Sequence, residues 1–161
     1  MGLSMTNDDG PPIAMDATNW ALLEELQRDA RISYTELSRR VHLSPPAVAE
    51  RIRRMEDAGI LVGYHAQVDP SRLGWAIHAI VRMPCHGTKC VLRDASVREW
   101  PEVIAIDRVT GDSCSILRVI TPTIAEFESL IDRLAPFGQP SSMMVLSTAL
   151  SWKPLRSPGH G

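Results

Sequence analysis

The sequence lacks any long apolar run. No stretch approaches the ~20 residues that cross a bilayer as a helix. The opening residues 1–16 show neither the basic segment nor the apolar centre of a secretion leader and carry Asp8 and Asp9 instead. These absences point away from a membrane and from export. Cysteine is scarce: Cys85, Cys90 and Cys114 are odd in number and widely spaced. That argues against a disulfide framework and makes a reducing cytoplasm the expected compartment. An excess of one charge is missing too. The formal net charge is −2, which excludes a bulk polycation that coats nucleic acid by charge alone. There is no internal repeat and no long low-complexity tract.

What is present is ordinary in amount and uneven in placement. Hydrophobic residues make up 44% and charged residues 22% of the 161 residues. That suits one average folded domain or two small ones. Only two lysines, Lys89 and Lys153, accompany 15 arginines. Between positions 39 and 54 lie Arg39, Arg40, Arg51, Arg53 and Arg54 against Glu50 alone, a local net charge of +4.

Residues 1–15 carry Gly2, Gly10, Pro11 and Pro12 with little periodicity and read as a mobile tail; Met5 and Met15 are alternative starts. From 16 to 62 the spacing predicts three short helices. The first runs over 16–29, with Asp16 as its cap and Leu22, Leu23 and Leu26 as its inner stripe. The second runs over 33–41, with Ser33 and Glu36 in capping-box spacing. The third opens on Ser44-Pro45-Pro46 and runs to about Ala58. Val48, Ile52 and Met55 face inward, Ala47, Glu50, Arg51 and Arg54 outward, and Gly59 suits the stop. Residues 63–74 read as a hinge strand and linker.

From 75 to 152 the period changes. Strands are predicted over 75–83, 103–109, 113–120 and 142–150, with helices over 91–100 and 121–134. The order βαββαβ is that of a ferredoxin-like sandwich. Trp75 and Trp100 suit a core or a subunit interface. Residues 153–161, rich in proline and glycine, read as a flexible tail.

Three short helices, the third opening on Ser-Pro and presenting arginine, describe a helix-turn-helix whose last helix enters the major groove. Arg51 and Arg54 sit one turn apart and suit guanine or phosphate. Ser44 and the helix start suit a phosphate, and Arg39 and Arg40 suit the backbone nearby. Residue types alone leave open a plain helical bundle with a solvated arginine face.

The run Asp29-Ala-Arg-Ile-Ser-Tyr-Thr-Glu-Leu, continuing through His42-Leu-Ser-Pro-Pro to Met55-Glu-Asp-Ala-Gly-Ile-Leu61, resembles the DNA-binding segment of the Lrp/AsnC family of transcriptional regulators. Ala30, His42 and Met55 stand where the family typically has Gly, Gly and Leu. The likeness continues through Gly63-Tyr64, Asp69-Pro70, Leu73-Gly74, Trp100-Pro-Glu-Val103 and Val109-Thr-Gly-Asp112, covering roughly 15–152. It implies an α+β chain: an N-terminal winged helix-turn-helix followed by a ferredoxin-like RAM domain. DNA contacts are then expected from Ser33, Tyr34, Arg39, Arg40, Ser44, Pro45, Ala47, Glu50, Arg51 and Arg54.

The resemblance further implies that the second domain senses an amino acid and assembles the chain into dimers and higher homo-oligomers such as octamers. The effector cleft is expected near Thr110, Gly111, Asp112, Ser113, Cys114 and Ser115. Gln139, Ser141 and Ser142 resemble a second stretch facing it. A zwitterion needs an acceptor for its ammonium, which Asp112 can supply, and donors for its carboxylate, which backbone N–H groups at the glycine turn can supply. Ser113 and Ser115 replace a common aromatic and a second acid, which favours a neutral or apolar amino acid. Asp112 also suits a plain turn beside Gly111, and Ser141 and Ser142 a solvated strand start. Tyr64 and His65 suit a contact with the DNA backbone or with the partner subunit, the partner being favoured. Cys85, His86 and Cys90 have metal-ligand chemistry but no second pair, so no metal site is expected. No nucleophile–base set appears, so no enzyme and no cofactor beyond the effector is expected. The rival reading is an amino-acid-binding regulatory subunit or adaptor without DNA binding.

Overall fold

The computed structural model describes residues 13–84 and 89–158. These form two compact units. One comprises the described residues through Gln67 together with those from Trp152 onward; the other is Val68–Ser151.

The first unit holds α1 (Ala17–Arg28), α2 (Tyr34–Val41) and α3 (Pro45–Asp57). Each opens on the cap its sequence announces. Asp16 accepts the Asn19 N–H at 2.7 Å, Ser33 that of Glu36 at 3.1 Å and Ser44 that of Ala47 at 3.4 Å. Such caps satisfy backbone donors that have no partner inside the helix. Leu22, Leu23, Leu26, Leu37, Val48, Ile52 and Met55 are buried together, and Trp20, Ile32, Val41, Leu43 and Leu61 pack around them. Burial of the i, i+3, i+4 stripes is what holds helices this short. α2 ends on His42 in the left-handed region, φ +55°. A side chain there is strained, which explains why glycine suits the position. α3 stops at Gly59, φ +66°, where the N–H groups of Ile60 and Leu61 both reach the Met55 carbonyl.

The extended segment after α3 has no sheet partner among the described residues of this chain. A strand is held by its neighbour's hydrogen bonds, and the described chain offers none here. The Tyr64 hydroxyl instead donates to Glu56 Oε1 at 2.8 Å, and burial, then this carboxylate, pushes its pKa up. The C-terminal segment is also more engaged than a free tail. Gln27 on α1 donates its amide to the Leu155 carbonyl at 3.1 Å and accepts the Leu155 N–H at 2.8 Å.

The second unit opens on a 3-10 turn, Pro70–Leu73, capped by Asp69 and closed by Gly74. Its sheet consists of β1 (Ile77–Met83), β2 (Val103–Arg108), β3 (Ser115–Thr121) and β4 (Ser141–Met144), in the order β2-β3-β1-β4 with every pair antiparallel. This is the strand order of the split-βαβ arrangement. Period-two burial sends Ala79, Val81 and Met83 to one face with Leu117 and Val119 beside them. α4 (Ile124–Leu134), capped by Thr123, lays Leu130 and Leu134 on that face, with Phe127 and Ile131 packed alongside. Trp100 joins this core: the Arg133 guanidinium stacks 4.5 Å from its ring and Phe137 meets it edge-on.

Two elements are shorter than their patterns suggest. The expected helix over 91–100 is only a 3-10 turn, Ala95–Glu99. Asp94 takes the Ser96 N–H and hydroxyl, and Pro101 follows, which leaves too few residues for an α-helical nucleus. β4 pairs with β1 only over Ser141–Met144, and the Val145 N–H adds one further bond to the His78 carbonyl at 2.9 Å.

Candidate functional site

The exposed side of α3 gathers the residues assigned to it. Ala47, Glu50, Arg51 and Arg54 line a shallow recess with Ile13, Ala14, Asp16 and Asn19 from the start of α1. Ser33 and Tyr34 open α2, and Ser44 and Pro45 open α3, all exposed. The arginines do not stand free. Arg51 donates to Asp16 Oδ2 at 2.7 Å and to Asn19 Oδ1 at 2.9 Å. Arg53 and Arg54 share Glu50, and Arg53 also reaches Asp57 at 2.8 Å. Arg39 pairs with Glu36, and Arg40 with Glu36 and Glu25.

These pairs pull the carboxylates below their usual range. At Asp16 the Asn19 backbone N–H contributes most and Arg51 next. At Glu50 the cause is Arg53, then Arg54; at Glu36 it is Arg40. Over 16–62 seven arginines face eight carboxylates. The local +4 seen along the chain is therefore matched in space by acids from other turns and helices. Sequence proximity hid these partners, because Asp16 is 35 positions from Arg51 and Glu25 is 15 from Arg40.

The second place is a cleft of about 450 Å³ at one end of the sheet. It is lined by Arg82, Pro84, Asp112, Ser113, Gln139, Pro140 and Ser141. Four of the nine assigned residues thus meet here: Asp112, Ser113, Gln139 and Ser141. Thr110 and Gly111 form the turn before it, with Gly111 at φ +102°. Ser115 does not face the cleft; it is fully buried opposite Met83 in the β1–β3 ladder. Ser142 pairs with Val81 one step further along β4, outside the lining. Cys114 lies behind Ser113 and donates its N–H to the Met83 carbonyl at 3.0 Å.

Arg82 was missed from the sequence. It sits between buried Val81 and Met83, so the alternation of β1 turns it to the open face, where its Nη2 donates to Ser141 Oγ at 3.4 Å. A lone charge in an otherwise apolar strand was the available signal. Gly138, φ +149°, is the other omission. A Cβ there would stand 2.7 Å from the Pro84 carbonyl oxygen, so glycine lets the 138–141 loop close one wall. Among the described residues neither Arg82 nor Asp112 has an ion-pair partner.

The cysteines depart from expectation. Cys114 is disulfide-bonded. Cys85 and His86, weighed as metal ligands, lie outside the described residues.

Known proteins divide the chain in the same way. Residues 15–56 match the AsnC-type helix-turn-helix domain and residues 79–154 the Lrp/AsnC ligand-binding domain. The uncharacterized HTH-type transcriptional regulator YezC of Bacillus subtilis is 33% identical, covering 84% of this chain and 96% of its own length. The structure of LrpC from the same organism superposes with a TM-score of 0.81 at 27% identity, covering 87% of this chain and all of that one. A transcriptional regulator from Neisseria meningitidis, solved as its L-methionine complex, superposes with a TM-score of 0.80 at 30% identity over 88% of this chain and 96% of that one. With both domains matched in order over nearly its whole length, this chain belongs to the Lrp/AsnC family of DNA-binding transcriptional regulators.

Proposed function

We propose that this regulator binds an amino acid in the cleft at the sheet end and that the bound amino acid changes how the chain engages its operator. The carrying observation is the pair of opposite charges facing one cleft, Asp112 on one wall and Arg82 on another. An α-amino acid is a zwitterion. Asp112 accepts from its ammonium, and Arg82, with its fork of donors, holds its carboxylate. The volume suits a single small ligand. Ser113, Gln139 and Ser141 add hydroxyl and amide groups, and Pro84 and Pro140 give two apolar walls. That mixture favours a neutral side chain. The methionine complex of the Neisseria relative supports the same ligand class.

On the DNA side α3 is the reading helix. Arg51 and Arg54 face the bases, and Arg39, Arg40, Ser44 and the start of α3 hold phosphates. Each arginine must exchange its carboxylate for a DNA group, so binding is a swap of partners. The chain works as a dimer or a higher homo-oligomer such as an octamer, because two linked heads multiply the affinity of one. The outer sheet face offers Met143 and Ile104, both about half exposed, to such an assembly. No helix is long and apolar enough to cross a membrane among the described residues. The working place is with the chromosome in the cytoplasm, and no catalytic step is assigned.

The test is anisotropy of DNA from upstream of the protein's own gene, titrated with and without each of the twenty amino acids. At least one should shift the affinity in the native chain. A native chain that ignores all twenty, or that fails to bind DNA in a salt-dependent way, contradicts the reading and favours an adaptor.

A further inference from the structure

One position in the inner stripe of α1 is polar. The stripe runs Asn19, Leu22, Leu23, Leu26, and all four are buried, Asn19 to 3% exposure. An amide in such a place destabilises a fold unless its groups are bonded. Here both are. Asn19 Nδ2 donates to the Ala14 carbonyl at 2.9 Å, and Oδ1 accepts Arg51 Nη1 at 2.9 Å. A carbonyl on one side and a guanidinium on the other fix which way the amide points. Arg51 is the least exposed of the six paired arginines in this unit, its side chain 33% exposed against 64% for Arg54. Its bonds to Asn19 and to Asp16 Oδ2 both leave from Nη1. Among the described residues Nη2 and Nε make no hydrogen bond. Those two atoms form one edge of the guanidinium, a pair of parallel donors that suits O6 and N7 of a guanine. The two partners of Nη1 differ in kind. Asp16 is charged and about half exposed, whereas Asn19 is neutral and buried.

We propose that Asn19 is the positioning residue of the reading helix, which keeps Arg51 in place while DNA displaces Asp16. The proposal rests on the reading of Arg51 as a base-contacting arginine. An arginine side chain has many rotamers, and ordering it at the moment of binding lowers affinity. Asn19 orders it beforehand, as part of the folded unit. The carboxylate of Asp16 is repelled by phosphates and opposes binding to DNA of any sequence. The Asn19 oxygen carries no net charge to be repelled, and its amide is tied to Ala14, so it stays on Nη1 when Asp16 gives way. The two residues therefore act on different quantities. Asp16 sets how strongly the helix holds DNA in general, and Asn19 sets how well it tells one sequence from another.

The full-length chain is titrated by anisotropy into two duplexes of equal length and composition, one from upstream of its own gene and one scrambled. The readout is the ratio of the two affinities, taken well below the unfolding temperature of each variant. Asn19→Leu fills similar space without the oxygen and should cut the ratio roughly three- to tenfold, the effect of leaving one long side chain to be ordered on binding. Affinity for the scrambled duplex should hold. Asn19→Asp loses the bond to Ala14 but keeps an oxygen for Arg51, and should restore the native ratio. In an Arg51→Ala background, Asn19→Leu should change the ratio no further, because a positioning residue acts only through the group it holds. Asp16→Asn should strengthen binding to both duplexes and leave the ratio alone. If Asn19→Leu does not fold, Asn19→Ser, whose hydroxyl is too short to reach the guanidinium, takes its place. An unchanged ratio, an equal loss on both duplexes, a failure of Asn19→Asp to restore it, or a further fall in the Arg51→Ala background overturns the proposal. An Arg51→Ala chain that keeps the native ratio overturns instead the base-reading role of Arg51, so the two failures are distinct.

Discussion

The helical unit and the cleft treat charge in opposite ways. In the helical unit six of the seven arginines over 16–62 are already paired with carboxylates of the same unit. In the cleft, Arg82 and Asp112 face open space with no ion-pair partner among the described residues. On the proposed function, the difference follows from what each binds. DNA is a dense polyanion that attracts any exposed arginine, so an unpaired basic face would hold every sequence. Internal acids subtract from that background and leave binding to sites where the new contacts are better than the old. A single zwitterion brings only one charge of each sign, and charges that must first be freed would hold it weakly.

The sharpest way to break this comparison is to remove a cleft charge. Arg82→Met should weaken amino-acid binding by about 1.5–3 kcal/mol, the worth of a hydrogen bond to a charged group. Calorimetry with the amino acid that acts on the native chain reads this directly. DNA affinity without the amino acid should stay the same. Arg51→Ala comes next. Loss of a base-reading arginine should cost about 1–3 kcal/mol on the operator and less on random DNA. Gel-shift titration on both sequences separates them, and equal losses would make Arg51 a phosphate contact only.

Glu50→Gln acts in the opposite direction. It releases Arg54 and leaves Arg53 with Asp57 alone, so affinity for random DNA should rise roughly three- to tenfold at low salt. The gain should disappear as salt is raised. An unchanged or weakened affinity would mean that the internal acids do not limit the background. The smallest effect tests backbone geometry rather than charge. His42→Gly removes a side chain from the left-handed region at the end of α2, and the helical unit should gain about 1 kcal/mol in thermal unfolding.

The same contrast explains how much was legible. Helix starts could be read because a cap is a local event: Asp16, Ser33 and Ser44 each bond an N–H three residues on. The strand order and the core of α4 could be read because alternation and helical spacing are local too. Ionic partners could not. The Arg51–Asp16 and Arg40–Glu25 pairs depend on how three helices pack, which the position of charges along the chain does not encode. Arg82 was hidden for a related reason. Its strand was read as an apolar block, and its place in a cleft depends on the loop of Gly138 coming back against Pro84. Over 91–100 the apolar spacing suggests a helix, but Asp94-Ala-Ser96 is a turn in itself, and it ends the helix before it begins.

The central claim is that an amino acid spanning Asp112 and Arg82 is what the DNA-binding unit responds to. The most direct measurement is operator anisotropy with the active amino acid, run on the native chain, Asp112→Asn and Arg82→Met side by side. The expected result is a shift in operator affinity for the native chain and none for either variant, with all three binding DNA equally when the amino acid is absent. A shift that survives intact in both variants would place the effector elsewhere and contradict the account.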